Sequence, residues 1–276
     1  MITIVLDCGG RSLDLSRPAV MGILNVTPDS FSDGGIFLDP KKAVEHALQM
    51  VEEGADIIDI GGESSRPGAQ SVSVDEELRR VLPVIRELRK QSKISISIDT
   101  TKSVVAAQAI EAGATMINDI SAGRFDPEMF SVAAKANVPI CLMHMKGTPQ
   151  NMQKDPHYDD AVAEVKLFLK ERIEAAKKAG VGQKQIIIDV GIGFGKRVED
   201  NVALLKNLDQ LQNLGCPILI GTSRKSFIGA LTGAEVKDRL PGNLASLAIA
   251  IQKGASIARV HDVGATKQFL QVLTSL

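Results

Sequence analysis

Cysteine is scarce in this chain. Cys8, Cys141 and Cys216 are odd in number and follow no paired spacing, which argues against a disulfide framework and against a zinc site. Long apolar runs are also missing: none approaches the roughly 18 residues of a membrane span, so no membrane partner is expected. The opening MITIVLDCGG carries no basic region and is interrupted by Asp7, unlike a signal peptide. Neither sign of charge dominates. The 32 Lys and Arg residues oppose 33 Asp and Glu, for a net charge of −1, and both signs are spread along the chain. That excludes a broad field for nucleic acid or an anionic membrane, and an anionic ligand would have to be held by local cations. No HExxH, Cys-His pair or Ser-His-Asp order appears, so covalent catalysis is not expected and the chemistry should come from orientation and electrostatics. A reducing cytoplasm is the expected location.

What is present is an alternation. Apolar strand patterns at Val20 to Val26, Ile57 to Ile60, Ile94 to Ile98, Thr115 to Asn118, Pro139 to Met143, Gln185 to Ile188, Pro217 to Ile220 and Ser256 to Val260 are separated by segments of helical periodicity, such as Ala161, Val165, Phe168, Leu169 and Ile173. Gly54, Gly113, Gly180 and Gly254 each stand where a left-handed helix cap is wanted before the next strand. Parallel neighbours need a crossover helix, so the sheet is expected to be parallel. A doubly wound sheet would satisfy the alternation, but its Gly-rich turn after the first strand is missing. The expectation is a (β/α)8 barrel of α/β class, one domain over residues 1–276. Residues 1–18 would form an N-terminal hairpin plugging its bottom and residues 19–276 the barrel; 276 residues with 44% hydrophobic content suffice for it.

In such a barrel, chemistry belongs at the C-terminal ends of the strands. Those ends carry Asn25; Gly61 to Gly68; Asp99 and Thr100; Asn118 and Asp119; His144; Asp189; Ser223 to Ser226; and Arg259 to Asp262. Asp99, Asn118 and Asp189 suit a ligand rich in N–H donors; a divalent-metal cage and a general acid/base pair are the competing readings. Lys225, Arg259 and His261 follow strands seven and eight, where many barrels bind phosphate, with Ser223 and Ser226 beside a helix start. The alternative for Lys225 and Arg259 is a pair of structural salt bridges. Phe194 and Met143 offer apolar walls to a flat ligand or are simply core. The loops Thr27 to Gly35 and Ser64 to Ser71 are expected to be mobile lids.

The ordered blocks NVTPDSFSDGG, GGESSRPGA, SIDTTK, NDISAG, LMHMKGTPQNMQ, DVGIGFGK, SRKSFIG and RVHDV, spanning Met21 to Val263, resemble the bacterial dihydropteroate synthases. The resemblance implies a homodimeric (β/α)8 barrel that joins 6-hydroxymethyl-7,8-dihydropterin pyrophosphate to 4-aminobenzoate, releases pyrophosphate in folate biosynthesis, and is a target of sulfonamides. It assigns Asp99, Asn118, Ile120, Met143, Asp189, Phe194 and Lys225 to the pterin, and Asn25, Arg259 and His261 to pyrophosphate, with Mg2+ at Asn25. Phe31, Ser65, Arg66, Pro67 and Ser226 fall to aminobenzoate, and Asp99, Lys225, Arg259 and His261 to catalysis. Ser65 stands where the family most often has Thr, and Val190 where Pro is usual. A pterin-carrying domain of a methyltransferase system shares the barrel but would not need the first two loops. A phosphate-binding sugar isomerase would need a Glu/His pair that is not apparent.

Overall fold

The computed structural model describes residues 5–10, 12–27 and 39–276. Ile2 to Ile4 and Arg11 of the expected hairpin lie outside the described residues, as does 28–38, which includes Phe31 and most of the first expected lid.

A two-stranded antiparallel hairpin, β1 (Val5–Asp7) and β2 (Ser12–Asp14), precedes the barrel. The strands β3 (Ala19–Asn25), β4 (Ile57–Gly61), β5 (Ser95–Asp99), β6 (Met116–Asp119), β7 (Ile140–Met143), β8 (Ile186–Asp189), β9 (Ile218–Ile220) and β10 (Ala255–Val260) follow. They close in sequence order, all parallel, with β10 pairing β3. Crossover helices lie between them: α1 (Pro40–Glu52), α2 (Val74–Gln91), α3 (Ser103–Ala112), α4 (Met129–Ala136), α5 (Ala161–Lys178), α6 (Val198–Lys206), α7 (Ser226–Thr232) and α8 (Leu240–Gln252), with α9 (Val263–Leu273) packing behind β3. Each strand lies within a residue of its expected bounds at either end. Pro139 and Pro217 fall just outside because proline can accept a ladder bond but has no N–H to donate. Each accepts through its carbonyl, from Ile117 N at 2.9 Å and Ile188 N at 3.0 Å.

Alternation along the strands decides where the site lies. Successive side chains point to opposite faces, so every second residue enters the barrel. At the bottom these are Met21, Ile57, Met116, Cys141, Ile187, Leu219 and Ile257, and the hairpin's Leu6, Cys8, Leu13 and Leu15 pack onto that layer. The hairpin is therefore the plug expected of it. Two residues further along the same strands the inward positions become Asp59, Asn118, Met143, Asp189 and Arg259, with Asp99 beside them on β5. The other face, including Ile58, Ile60, Ile98 and Ile188, packs under the helices. Among the described residues no helix is long and apolar enough to cross a membrane.

Candidate active site

A guanidinium crosses the barrel mouth. Arg259 Nε donates to Asp59 Oδ2 at 2.7 Å, and its Nη2 donates to Asp99 Oδ2 at 2.7 Å. Asn118 Nδ2 donates to the same Asp59 oxygen at 3.1 Å, while Asp59 Oδ1, fully buried, has no hydrogen-bond partner. Burial works against the Arg259 cation, but Asp59 and Asp99 outweigh it and raise its pKa. One cation cannot fully serve two buried acids. Burial pushes the Asp99 carboxyl up to about 7, against the pull of Arg259 and with a further push from Asp59.

Asp189 ends β8, and its Oδ1 accepts from Gly191 N at 2.7 Å across Val190. Burial raises its pKa, opposed by that N–H and by Lys225. The Gly-rich loop that follows presses against the exit of β7: a Cβ on Gly191 would stand 1.9 Å from the His144 carbonyl oxygen, so only glycine fits. Lys196 holds the loop in place. Its Nζ, buried, lies 2.9 Å from His144 Nδ1 and donates to Gly191 O at 2.9 Å and Phe194 O at 3.0 Å. Burial pushes this ammonium down to about 7. The loop thereby places Phe194 under Lys225, whose Nζ stands 4.0 Å from the ring centroid. Burial and then repulsion by Arg259 push Lys225 down to about 8, against the pull of Asp189 and Asp99. Phe194, Met143 and Ile120 form one apolar cluster with Met145 and Met152.

The third group follows β9 and β10. Arg224, with φ of 60°, turns the chain in the left-handed region and pairs with Asp262 at 2.9 Å. Ser223 Oγ accepts from His261 N at 3.3 Å and lies 3.0 Å from His261 Nδ1. Burial, then repulsion by Arg224 and Arg259, holds His261 down at about 3, so the imidazole is neutral at pH 7. In the tautomer in which the Ser223 hydroxyl donates to Nδ1, the imidazole proton sits on Nε2 and faces away from Ser223. Ser226 opens α7, Asn25 closes β3 half-buried, Ser65 is half-buried, and Arg66 and Pro67 are exposed.

Each site residue named from the sequence, Phe31 excepted because it lies outside the described residues, stands at or beside a strand's C-terminal end, on one rim of the barrel. Two others, Asp59 and Lys196, were missed. Asp59 lies inside a strand whose other residues are Ile and Gly, and a carboxylate there must be paired, which is a readable signal. Lys196 is the last residue of the Gly-rich block DVGIGFGK. Asp119, named at a strand end, turns instead onto its own loop, accepting from Ser121 N, Ser121 Oγ and Gly123 N. Among the described residues no group of three or more His, Cys, Asp or Glu is spaced to hold a metal ion.

Comparison with known proteins gives the family of this barrel. Residues 21–261 match the family model described as pterin binding enzyme. The chain is 51% identical over 261 residues to a dihydropteroate synthase of Synechocystis sp., covering 94% of this chain and 90% of that one. It is similar in structure to the Xanthomonas albilineans dihydropteroate synthase with 4-aminobenzoic acid, with a TM-score of 0.94 and 52% identity over 99% of this chain and 98% of that one. A structure of the Xanthomonas albilineans enzyme in complex with 7,8-dihydropteroate gives a TM-score of 0.89 at 49% identity, covering 98% of both chains. The chain belongs to the pterin-binding enzymes, within the family of the dihydropteroate synthases.

Proposed function

We propose that the barrel mouth joins 6-hydroxymethyl-7,8-dihydropterin pyrophosphate to 4-aminobenzoate through the residues described above. As a dihydropteroate synthase the chain is a transferase of folate biosynthesis that releases pyrophosphate. The observation that carries the residue assignment is the excess of buried acceptors. Asp59 and Asp99 share one guanidinium, that of Arg259, while Lys225 and Lys196 serve Asp189, and Asp59 Oδ1 has no partner. A pterin edge presenting N–H donors supplies what that cavity lacks. In this reading Asp189 and Asn118 take the pterin edge, Ile120, Met143 and Phe194 hold its faces, and Lys225 lies along its rim.

Neutral His261 offers Nε2–H to the pyrophosphate, with Asn25 and the cationic face of Arg259 nearby. Ser65, Arg66, Pro67, Ser226 and Phe31 receive the aminobenzoate, Arg66 and the N–H groups at the start of α7 meeting its carboxylate. Asn25 fits Mg2+ as one neutral amide oxygen at the strand end, because this ion takes few protein oxygens and completes its shell with substrate phosphates and water. When bound, it would neutralise charge on the departing pyrophosphate. A homodimer is supported by Leu231 of α7, Ile249 of α8 and Val272 of α9, exposed apolar residues on neighbouring helices. Three free, buried cysteines suit a cytoplasmic location. The deciding experiment measures pyrophosphate release from the pterin pyrophosphate with and without 4-aminobenzoate. Release that depends on the amine is expected; pterin binding without it would identify a pterin carrier.

A further inference from the structure

The loop from β4 to α2, residues 62–73, presents Ser65 and Arg66, and a single carboxylate ties its two stems together. Glu63 Oε2 accepts from Val72 N, nine residues on, at 3.1 Å, and from Lys102 Nζ at 2.5 Å. The same ammonium donates to Glu77 Oε2 at 2.5 Å. Glu77 lies in the first turn of α2, is fully buried, and has no hydrogen-bond partner on Oε1. Lys102 stands three residues after Asp99, its own N–H held by Thr100 Oγ1 at 3.2 Å. One cation therefore joins the loop stems, the start of α2 and the exit of the strand that carries Asp99. A cavity of about 20 Å³, lined among others by Ser65, Glu77 and Asp99, shows how closely these parts adjoin. Burial disfavours the Lys102 cation, but Glu63 and Glu77 outweigh it and raise its pKa, so the Lys102 ammonium stays charged at neutral pH.

We propose that Lys102 is a positioning residue that sets the affinity for the amine substrate by clamping the 62–73 loop to the end of β5. Lys102 Nζ is engaged by Glu63 and Glu77 and acts through Glu63, whose carboxylate closes the loop base. The inference rests on the assignment of Ser65 and Arg66 to 4-aminobenzoate.

The test compares full-length Lys102→Met, Lys102→Arg and the double variant Lys102→Met/Glu77→Gln, the last removing the buried carboxylate together with its cation so that folding is not confounded by an unpaired charge. Steady-state kinetics should show KM for 4-aminobenzoate raised about tenfold or more in both Met variants, with kcat and KM for the pterin pyrophosphate within about threefold of wild type. Hydrogen exchange at the Val72 amide should quicken in the same variants, and Lys102→Arg should restore most of the affinity. Folded variants with unchanged KM for 4-aminobenzoate, or with both KM values raised equally, would overturn the proposal. Wild-type enzyme that releases no pyrophosphate on addition of the amine would instead overturn the functional reading, and the inference with it.

Discussion

Arg259 Nη2 donates to Asp99 Oδ2 at 2.7 Å, joining the last strand of the barrel to the third across the mouth. The contact makes Arg259 a structural residue of the site as well as a candidate for pyrophosphate. The two roles are compatible because a guanidinium has five N–H donors and only part of the fork faces the acids.

Arg259→Ala should therefore cost stability as well as binding. It leaves Asp59 fully buried without its cation, a loss of about 3–5 kcal/mol for a broken buried pair. Arg259→Ala/Asp59→Asn should recover much of that loss, measured by urea unfolding. In either background the affinity for the pterin pyrophosphate should fall more than that for the bare hydroxymethylpterin. Equal losses for the two ligands would confine Arg259 to the structural role.

Asp189→Asn should weaken pterin binding by about 3 kcal/mol, roughly a hundredfold, because the amide turns an N–H toward donors on the ligand. The Gly191 N–H already engages Oδ1, so the asparagine oxygen is expected to stay there and the amide nitrogen to face the pterin. Calorimetry on the pterin decides it. An unchanged affinity removes Asp189 from the site.

Acid should destabilise the fold through its buried histidines. Burial and then Lys196 hold His144 down at about 2, and His261 is held at about 3, both from an unfolded value near 6.5. Below that value the unfolded chain takes protons that the native state refuses, so each group's stabilisation is full above pH 6.5 and is lost as pH falls toward its folded pKa. Asp99, raised to about 7, works oppositely across the window from 7 down to 3.8, because there the native state takes the proton. Comparing wild type with His144→Asn, which keeps an acceptor for Lys196, isolates one group. Between pH 6 and 3 the variant should lose about 1.4 kcal/mol less per pH unit. Parallel stability curves would show that His144 is protonated in the fold.

Bond breaking should lead the chemical step. An aromatic amine is a poor nucleophile, and among the described residues none is identified as a base for it; the buried polar groups are instead those proposed above for the pterin and the leaving group. Positive charge spreading from the methylene carbon into the dihydropterin ring would meet the excess of carboxylate at Asp59 and Asp99, while His261 and Arg259 hold the departing pyrophosphate. Single-turnover rates at saturating amine should then vary little across para-substituted anilines of different basicity. A steep rise with basicity would mean that the amine drives the leaving group out.

The barrel itself was legible in the chain because its signals are local. Period-two strands, 3.6-period helices and capping glycines each act within a few residues, and the eight strands fell within one residue of their expected bounds. The strand-end rule then placed Asp99, Asn118, Asp189, Lys225 and Arg259 on one rim without knowledge of any contact. Which of them touch is a different question. Arg259 meets Asp59 and Asp99 across 200 and 160 residues of chain, a pairing that exists only because closure of the barrel brings the last strand beside the first. The clamp of Lys102 on Glu63 and Glu77, and the four acceptors around Lys196, depend likewise on loops meeting side by side. Residue type and spacing determined which groups reach the mouth of the barrel; only the tertiary structure decided which charges are shared there, because burial removes the water that would otherwise serve each of them separately.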